Sequence, residues 1–383
     1  MGLGSIFLIL ASLTCLCSSL PLEYSIVEGD VDALLSDQRV SEIFRQWKDK
    51  HRKVYRHAEE AEKGFENFKG NLKYILERNA KRDSNEGEHH VGLNKFADMS
   101  NEEFRKAYLS KVKKPIYKGT KTRSRTTRRK VQSCDLPSSL DWRNHGIVTG
   151  VKDQGSCGSC WAFSSTGAME GINALVTGDL VSISEQELVD CDSSNYGCDG
   201  GYMDYAFEWV INNGGIDTES DYPYIGVDGK CNITKEETKV VSIDGYEDVE
   251  ESDSALLCAV AQQPVSVGID ASSINFQLYT GGIFDGSCSD NPDDIDHAVL
   301  IVGYGSEGSE KYWIVKNSWG TSWGMDGYFY LKRDADLPNG VCAVNAMASY
   351  PTKHPLHHPL IHLRVSRPAA NTTTTTAASS FTK

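Results

Sequence analysis

The sequence predicts an α+β protein in which a helical half and a sheet half enclose a cleft. Helical periodicity dominates four stretches, at 160–178, 185–189, 202–213 and 252–262. The period of strands then appears at 265–269, 298–302, 312–315 and 328–331, with glycine-rich turns between them. A change from helices to sheet near residue 245 indicates two sub-domains, and a cleft between sub-domains is the expected place for a site.

The stretch from Gln154 to Ser164 places a thiol at the start of a helix. It reads Q-G-S-C-G-S-C-W-A-F-S, with loop residues first and a mostly apolar helix after them. Unpaired backbone N–H groups and the positive end of the helix dipole favour thiolate at Cys160, which predicts a nucleophile. A Cys-x-x-Cys pair with Cys157 equally suits a structural bridge or a thiol-disulfide oxidoreductase.

The search for a general base is short because residues 136–350 contain two histidines. His145 lies in a loop-like segment, whereas His297 opens a predicted strand and could reach the thiol from the other half of the molecule. The carboxamide of Asn317 could hold the imidazole in one tautomer, with Trp319 shielding that bond from water. Taken singly, a histidine at a strand start and an asparagine in a turn are more often structural.

An oxyanion formed at the site would need hydrogen-bond donors. The Cys160 backbone N–H and the side-chain amide of Gln154, six residues earlier, are the candidates. Gln154 could also be an ordinary polar loop residue. Neither a metal ion nor another cofactor is expected.

The front of the chain carries a helical stripe and a short motif. Between residues 40 and 79 the pattern is helical, and five residues at spacings of eight, three, four and four share one face: Glu60, Phe68, Asn71, Ile75 and Asn79. The residues Gly92, Asn94, Phe96 and Asp98 then form G-x-N-x-F-x-D. Spacing alone favours an amphipathic helix that merely packs or dimerises.

Charge separates the front of the chain from its middle. Residues 136–350 carry a net charge of −25, residues 1–135 one of +7 and residues 351–383 one of +4, which gives the total of −14. We expect the two parts to attract each other and to separate more easily in acid, as carboxylates become protonated. So acidic a middle argues against a nucleic-acid partner. The acid-free basic run within 105–133 is typical of a solvated, cleavable linker.

The N-terminal residues predict a secretory signal peptide, and the C-terminal residues predict a solvated tail. The apolar run 6–16 indicates a signal peptide over residues 1–20, and no later run is long enough to anchor the chain in a membrane. The tail contains irregularly spaced histidines in a segment rich in proline and threonine, which favours a disordered extension over a metal site. Asn232 and Asn371 open possible glycosylation sequons.

The cysteine count is compatible with one free thiol. Of eleven cysteines two belong to the predicted signal peptide, so nine remain. If Cys160 is free, eight can pair, in about 105 different ways.

Taken together, these residues resemble the papain-like cysteine peptidases. Five blocks appear in the family's order: Asp141-Trp142-Arg143, Gln154 to Ser164, Cys198-Asp199-Gly200-Gly201, Asp296-His297-Ala298 and Asn317-Ser318-Trp319-Gly320. The front stripe and motif resemble the family's inhibitory propeptide, except that Gly64 stands where the pattern has arginine, which would remove an ion pair from the pro-region. The resemblance extends from about Val40 to Pro351.

The resemblance implies a fold and a division of the chain. The fold would have a helical left and a β-barrel-like right sub-domain with the active-site cleft between them, preceded by a helical propeptide. The expected segments are a signal peptide at 1–20, a propeptide at 21–133 with its helical part at 40–80 and its linker at 105–133, a peptidase domain at 134–350 and a disordered extension at 351–383.

The implied activity is that of a cysteine endopeptidase made as a zymogen. Its catalytic residues would be Cys160, His297, Asn317 and Gln154, with a thiolate–imidazolium pair at rest. Its partners would be protein and peptide substrates, its own propeptide and protein inhibitors of cysteine peptidases. We expect a monomer in the secretory pathway, delivered to a vacuole or lysosome or to the extracellular space. An oxidoreductase and a storage or binding protein on an inactive scaffold are the alternatives.

The resemblance also implies disulfides and a substrate pocket. Three bridges would be Cys157–Cys198, Cys191–Cys231 and Cys288–Cys342, leaving Cys134 and Cys258 either as a fourth bridge or as two free thiols. The pocket for the second substrate residue before the cut would be lined by Tyr202, Met203, Gly268, Ile295, Ala298 and Met347. No lining residue is charged, so Leu, Val or Phe should be preferred there and Arg disfavoured. Gly200 and Gly201 would offer backbone groups to an extended peptide.

Overall fold

The fold is described from a computed structural model, which covers residues 36–81, 89–110, 112, 134 and 136–354. The predicted signal peptide, most of the basic linker, Asn371 and the tail beyond His354 lie outside the described residues. None of the described helices is both long and apolar enough to cross a membrane.

The front segment folds into three helices and a short strand. They are α1 (Asp37–His51), α2 (Ala58–Ala80), β1 (His90–Val91) and α3 (Asn101–Tyr108). The single helical stretch expected at 40–79 is two helices, because Arg52 adopts a left-handed conformation with φ of 51° and ends α1. Phe44 and Trp47 of α1 pack on Phe68 of α2, so the helices share a small core.

Gly64, which stands where the family pattern has arginine, is packed tightly in this core. A Cβ on Gly64 would lie 3.0 Å from the Tyr55 ring, which packs directly against the glycine. The Tyr55 hydroxyl donates to Asp98 at 2.9 Å, and Lys53 pairs with the same carboxylate at 2.8 Å. The pro-region therefore keeps an ion pair at Asp98 without a basic residue at position 64.

The helical half is built on a buried central helix. Its helices are α4 (Cys160–Thr177), α5 (Glu185–Cys191), α6 (Met203–Asn213) and the short α7 (Ile233–Glu236). As predicted, Gly178 and Gly214 end α4 and α6, in left-handed conformations with φ of 84° and 77°. Ser184 caps α5 by accepting from the Glu187 backbone N–H at 2.9 Å.

The sheet half follows from residue 245 onward, as the change of period indicates. Its strands are β3 (Gly245–Asp248), β4 (Val265–Ile269), β5 (Tyr279–Gly281), β6 (Ile283–Phe284), β7 (His297–Glu307), β8 (Glu310–Lys316), β9 (Tyr328–Lys332) and β10 (Ala348–Thr352), with helices α8 (Asp253–Val260) and α9 (Ile274–Gln277). The sheet order is β3-β10-β4-β7-β8-β9-β6, and β2 (Leu140–Asp141) pairs with β7. Strand β5 pairs with β1 of the front segment, which joins the two parts of the chain.

Strand β7 separates the two cores. Its residues Ala298 and Leu300 face the core shared with the helices, while Val299 and Ile301 face the core of the sheet. A Cβ on Gly167 would lie 2.7 Å from Leu300, so α4 crosses β7 at close range. This crossing brings the start of α4 beside the start of β7.

The described residues contain four disulfides. The three bridges implied by the family are present, and Cys134 also pairs with Cys258, with a Cα–Cα distance of 5.9 Å. The prediction of a fourth bridge is thus confirmed, and two free thiols are excluded. Cys160 remains the free cysteine of the described part of the chain.

The sheet half ends slightly beyond the expected boundary. The extension was expected to begin at 351, but Pro351 and Thr352 belong to β10, opposite Tyr246 and Gly245 of β3. Backbone hydrogen bonding in the sheet therefore continues two residues beyond 350.

Candidate active site

Cys160 is the first residue of α4. Its side chain is fully buried, and the backbone N–H of Ala298 donates a hydrogen bond to its sulfur. Farther along the helix, the Ser164 hydroxyl donates to the Val299 carbonyl at 2.7 Å. Two successive contacts thus fix the start of α4 against β7.

His297 lies immediately before Ala298, at the start of β7. Its Nε2 lies 2.8 Å from Asn317 Oδ1, and its ring stacks on Trp319 with a centroid distance of 4.6 Å. Its Nδ1 is buried and has no hydrogen-bond partner among the described residues. The structure therefore joins the imidazole to the carboxamide of Asn317 and brings Cys160 against Ala298, the residue after His297.

Asn317 is itself held in one orientation. The side-chain Oδ1 accepts a second hydrogen bond, from the Ser318 backbone N–H at 2.8 Å. The backbone N–H of Asn317 donates to the Gly327 carbonyl at 3.0 Å. An Oδ1 fixed as acceptor requires the facing Nε2 of His297 to carry the proton. In the neutral ring Nδ1 is then the basic nitrogen.

Gln154 is buried beside these residues. Its Oε1 accepts from the Ser318 hydroxyl at 2.6 Å, which fixes the direction of the amide. Its Nε2 donates to the carbonyl of Cys157 at 2.9 Å and to that of Tyr108 at 3.4 Å. The side-chain amide N–H of Gln154 thus donates to a carbonyl oxygen of the front segment, that of Tyr108.

A segment of the front part of the chain covers the site. Beyond α3, the Ser110 backbone N–H donates to the Asp296 carbonyl at 2.9 Å, and the Ser110 hydroxyl lies 3.4 Å from Cys160 Sγ. Val112 is 3% exposed and belongs to the buried cluster of the helical half. Ser110 therefore covers the sulfur of Cys160, and Val112 is buried in the cluster of the helical half.

The pro-region is also fixed beside the site. Lys95 Nζ pairs with Asp153 at 2.6 Å and donates to the Trp319 carbonyl at 3.0 Å. The rings of Phe96 and Phe104 meet Trp319 edge-on, with centroid distances of 5.5 and 5.2 Å. Trp319, expected to shield the His297–Asn317 bond and to belong to the substrate site, stacks on His297, lies in the sheet core and contacts the front segment.

Burial in this closed state changes both titrating groups. It raises the pKa of the Cys160 thiol, which hydrogen bonds from Ser110, Ala298 and Trp161 oppose. It lowers the pKa of His297 to about 4, although the hydrogen bond that His297 donates to Asn317 opposes this. Desolvation disfavours the charged forms of both groups in this covered state, and the thiolate–imidazolium pair stays a prediction for the uncovered site.

Most of the expected pocket residues lie in one buried cluster. It contains Tyr202, Met203, Ile295, Ala298 and Met347, together with Val112. Gly268 lies at the same place, since a Cβ there would be 2.9 Å from Ile295 and 3.1 Å from the sulfur of Met347. Val112 of the front segment thus belongs to the same buried cluster as these residues.

The two glycines lie in the loop before α6. Gly200 adopts φ of 120°, and its carbonyl accepts from the Tyr196 N–H at 3.0 Å. A Cβ on Gly201 would lie 2.6 Å from the ring of Trp161, so only glycine fits there. Gly158, nearby, donates to the Cys198 carbonyl at 2.8 Å.

The remaining candidates lie apart from the site. His145 is exposed and contacts the Trp142 ring in the short helical turn 142–145, so it is not brought to the thiol. Asn232 is exposed, and its side chain accepts from the Lys235 N–H at the start of α7.

Sequence reasoning missed a buried ionic group beneath the site. Lys152 contacts Glu185 at 2.6 Å and Glu170 at 3.2 Å, and Lys316 donates to Thr149 at 2.9 Å. A cavity of about 20 Å³ lies among these side chains and Asn317, large enough for a water molecule. Lys152 lies two residues before Gln154 and Lys316 one before Asn317, so a lysine close to each of these site residues was the available sequence signal.

Two family models match the chain. The model of the papain family of cysteine proteases covers residues 136–352, and that of the cathepsin propeptide inhibitor domain covers residues 44–104. The chain belongs to the papain family. It is a cysteine protease with an inhibitory propeptide, and the front segment described above is that propeptide.

Named papain-family proteins agree with this assignment. The chain is 51% identical over 324 residues to "Probable cysteine protease RD21B" of Arabidopsis thaliana, covering 83% of this chain and 68% of that protein. It is 49% identical over 335 residues to "Cysteine protease XCP2" of the same plant, covering 86% and 91%. A crystal structure of the ragweed pollen allergen Amb a 11, a cysteine protease in its proform, matches with a TM-score of 0.76 and 37% identity, covering 87% and 91%. The expected papain-like fold with a helical propeptide is confirmed.

Proposed function

We propose that this papain-family protease is an endopeptidase that cleaves proteins through an acyl-enzyme on Cys160. The observation that carries the proposal is the arrangement of one free thiol, an imidazole beside it and a carboxamide holding that imidazole at 2.8 Å. His297 takes the thiol proton on Nδ1, and the thiolate attacks the scissile carbonyl. The N–H groups of Gln154 and Cys160 stabilise the oxyanion.

The later steps use the same groups. His297 returns its proton to the leaving amine as the carbon–nitrogen bond breaks, leaving a thioester on Cys160. A water molecule, deprotonated by His297, then attacks the thioester and releases the carboxylic acid. Asn317 holds the imidazole in one orientation throughout, since its Oδ1 accepts the Nε2 proton.

Endopeptidase activity is supported by the path of the pro-segment. Tyr108 and Val112 lie on either side of Ser110, which contacts the sulfur, so the cleft holds a chain that continues in both directions. Val112 lies among apolar pocket residues, which supports a preference for an apolar second residue before the cut. The pocket would comprise Tyr202, Met203, Gly268, Ile295, Ala298 and Met347, with Gly200 and Gly201 binding the peptide backbone and Trp319 behind the imidazole.

The rest of the proposal concerns the oligomeric state, localisation, glycosylation and inhibition of the enzyme. We infer a monomer that enters the secretory pathway and carries glycans at Asn232 and Asn371. It matures in a vacuole or lysosome or outside the cell. Protein inhibitors of cysteine peptidases control its activity. The bridge between Cys157 and Cys198 leaves no dithiol for an oxidoreductase.

The test uses the full chain after maturation. Internally quenched peptides with both termini blocked should be cleaved, with kcat/KM at least about tenfold higher for Leu than for Arg at the second position before the cut. Cys160→Ala should abolish cleavage, whereas the double variant Cys157→Ala and Cys198→Ala should retain it. Cleavage restricted to peptides with a free end would refute the endopeptidase, and activity in Cys160→Ala would refute the nucleophile.

A further inference from the structure

The buried carboxylate of Asp204 and the exposed carboxylate of Asp248 lie on facing surfaces where the helical half packs on the sheet half. Asp204 lies in the first turn of α6, and Asp248 is the last residue of β3. The rings of Phe207 and Tyr246 meet at a centroid distance of 6.0 Å, which shows which faces of α6 and β3 pack together. Asp204 is three residues before Phe207 and Asp248 two after Tyr246, so both lie on those faces.

Asp204 is buried with incomplete hydrogen bonding. It is 7% exposed, and its Oδ1 has no hydrogen-bond partner among the described residues. Ser349 lies opposite Asp248 in the pairing of β10 with β3, and its hydroxyl and that of Tyr202 approach the Asp204 carboxylate. Burial and the charge of Asp248 raise the pKa of Asp204 to about 7, although the two hydroxyls oppose this.

The surrounding elements offer no cation to an ionised Asp204. The other titratable groups on α4, α6, β3 and β10 are Cys160, Glu170, Tyr205, Glu208, Tyr246, Glu247 and Tyr350. These four elements contain no lysine, arginine or histidine. Glu170 is paired with Lys152, and Glu247 accepts from the Tyr350 hydroxyl at 2.8 Å. A proton shared with Asp248 is therefore the available way to neutralise Asp204.

The carboxylate pair adjoins the proposed pocket from behind. Tyr202 and Met203 immediately precede Asp204, and Met347 lies two residues before Ser349. Tyr202, Met203 and Met347 all belong to the buried cluster that holds Val112. The contact between Asp204 and its partners thus joins the helical wall of the pocket to the sheet wall.

We propose that Asp204 is a positioning residue for the substrate pocket, which it closes by donating a shared proton to Asp248 and opens when that proton is lost. This rests on the proposed function, because it concerns the pocket of that site. The folded-state pKa of Asp204 is raised, so the stabilisation is present at low pH and is lost as pH rises toward about 7. Two facing carboxylates then repel each other, and the wall that carries Tyr202 separates from β3.

The kinetic test compares KM with kcat in the matured full chain. For a blocked peptide with Leu at the second position before the cut, KM should rise roughly threefold or more between about pH 6 and pH 8.5, without a matching change in kcat. Asp204→Asn and Asp248→Asn keep a neutral donor in the pair and should make KM nearly independent of pH. Glu247→Gln, on the neighbouring residue of β3, should behave as wild type.

The proposal is overturned if KM of both asparagine variants rises with pH as in wild type. A second measurement does not depend on activity: at pH 7 the full-length zymogen should show an infrared band of a protonated carboxylic acid that Asp204→Asn removes. An unchanged spectrum also overturns the proposal. If wild type cleaves no blocked peptide, the proposed function fails instead, and the spectrum still decides whether the proton is shared.

Discussion

Truncating Val112 to alanine should open the zymogen by a predictable amount. The valine is 3% exposed and lies among the apolar pocket residues, so the substitution removes two buried methyl groups from the contact of the pro-segment with the cleft. At about 0.8 kcal/mol per buried CH₂, the closed state loses about 1.6 kcal/mol. A tenfold change corresponds to about 1.4 kcal/mol, so the open fraction should increase about 15-fold.

The assay is the rate at which iodoacetamide alkylates Cys160 in the full chain at neutral pH. Ser110 lies 3.4 Å from the sulfur, so the reagent reaches Cys160 when residues 108–112 leave the cleft. The rate then follows the population of the open state. The other eight cysteines outside the predicted signal peptide are paired, and the peptide containing Cys160 can be quantified by mass spectrometry.

A matched control is available in the same pro-region. Val54 is 86% exposed, so Val54→Ala removes the same atoms without opening the cleft and should leave the alkylation rate unchanged. Equal rates for Val112→Ala and wild type would refute the view that the pocket contact holds the segment in place. A similar increase in Val54→Ala would mean that the effect arises from general loosening of the propeptide.

Three further predictions concern catalysis, stability and maturation. Asn317→Ala should lower kcat/KM roughly 100-fold, the lower end of what a positioned acid–base contributes, because His297 loses its acceptor; an unchanged value would exclude the orienting role. Lys152→Met should lower the free energy of unfolding by about 3–5 kcal/mol in urea, since two buried glutamates lose their cation, while the exposed Lys230→Met should change it by less than about 0.5 kcal/mol. In low salt the zymogen should mature faster at pH 4.5 than at pH 7, because its −25 middle loses charge, and equal rates would contradict this electrostatic account.

The nucleophile's helix and its base could be predicted because their signals are local. Cys160 follows a glycine-rich loop and opens an apolar helix that Gly178 ends, and both limits are found in the structure. His297 opens a strand, as its position after a turn-rich stretch indicates. Which histidine faces the thiol also followed, because His145 lacks a regular element that would direct it across the cleft.

The covering segment and the ionic group could not be predicted, because both depend on contacts between distant residues. Ser110 has no motif, and its contact with a sulfur 50 residues away arises only when α3 is fixed on the sheet half. Lys152 and Glu185 are 33 residues apart and meet beneath the site through the packing of α4 and α5. Likewise, the glycine at position 64 could not be explained from the sequence, because the Tyr55 ring that packs against it is identified only in the folded structure.

The pKa values of Cys160 and His297 are shifted against the expectation from the sequence because the front segment covers both groups. The position of Cys160 at a helix start favours thiolate, yet the closed structure raises its pKa and lowers that of His297 to about 4. Desolvation outweighs the helix dipole because the dipole contributes about 1 kcal/mol, whereas complete burial can shift a pKa by several units. Removal of residues 108–112 would return water to both groups. The propeptide therefore covers the sulfur, and the same burial disfavours the charged forms of the thiol and the imidazole.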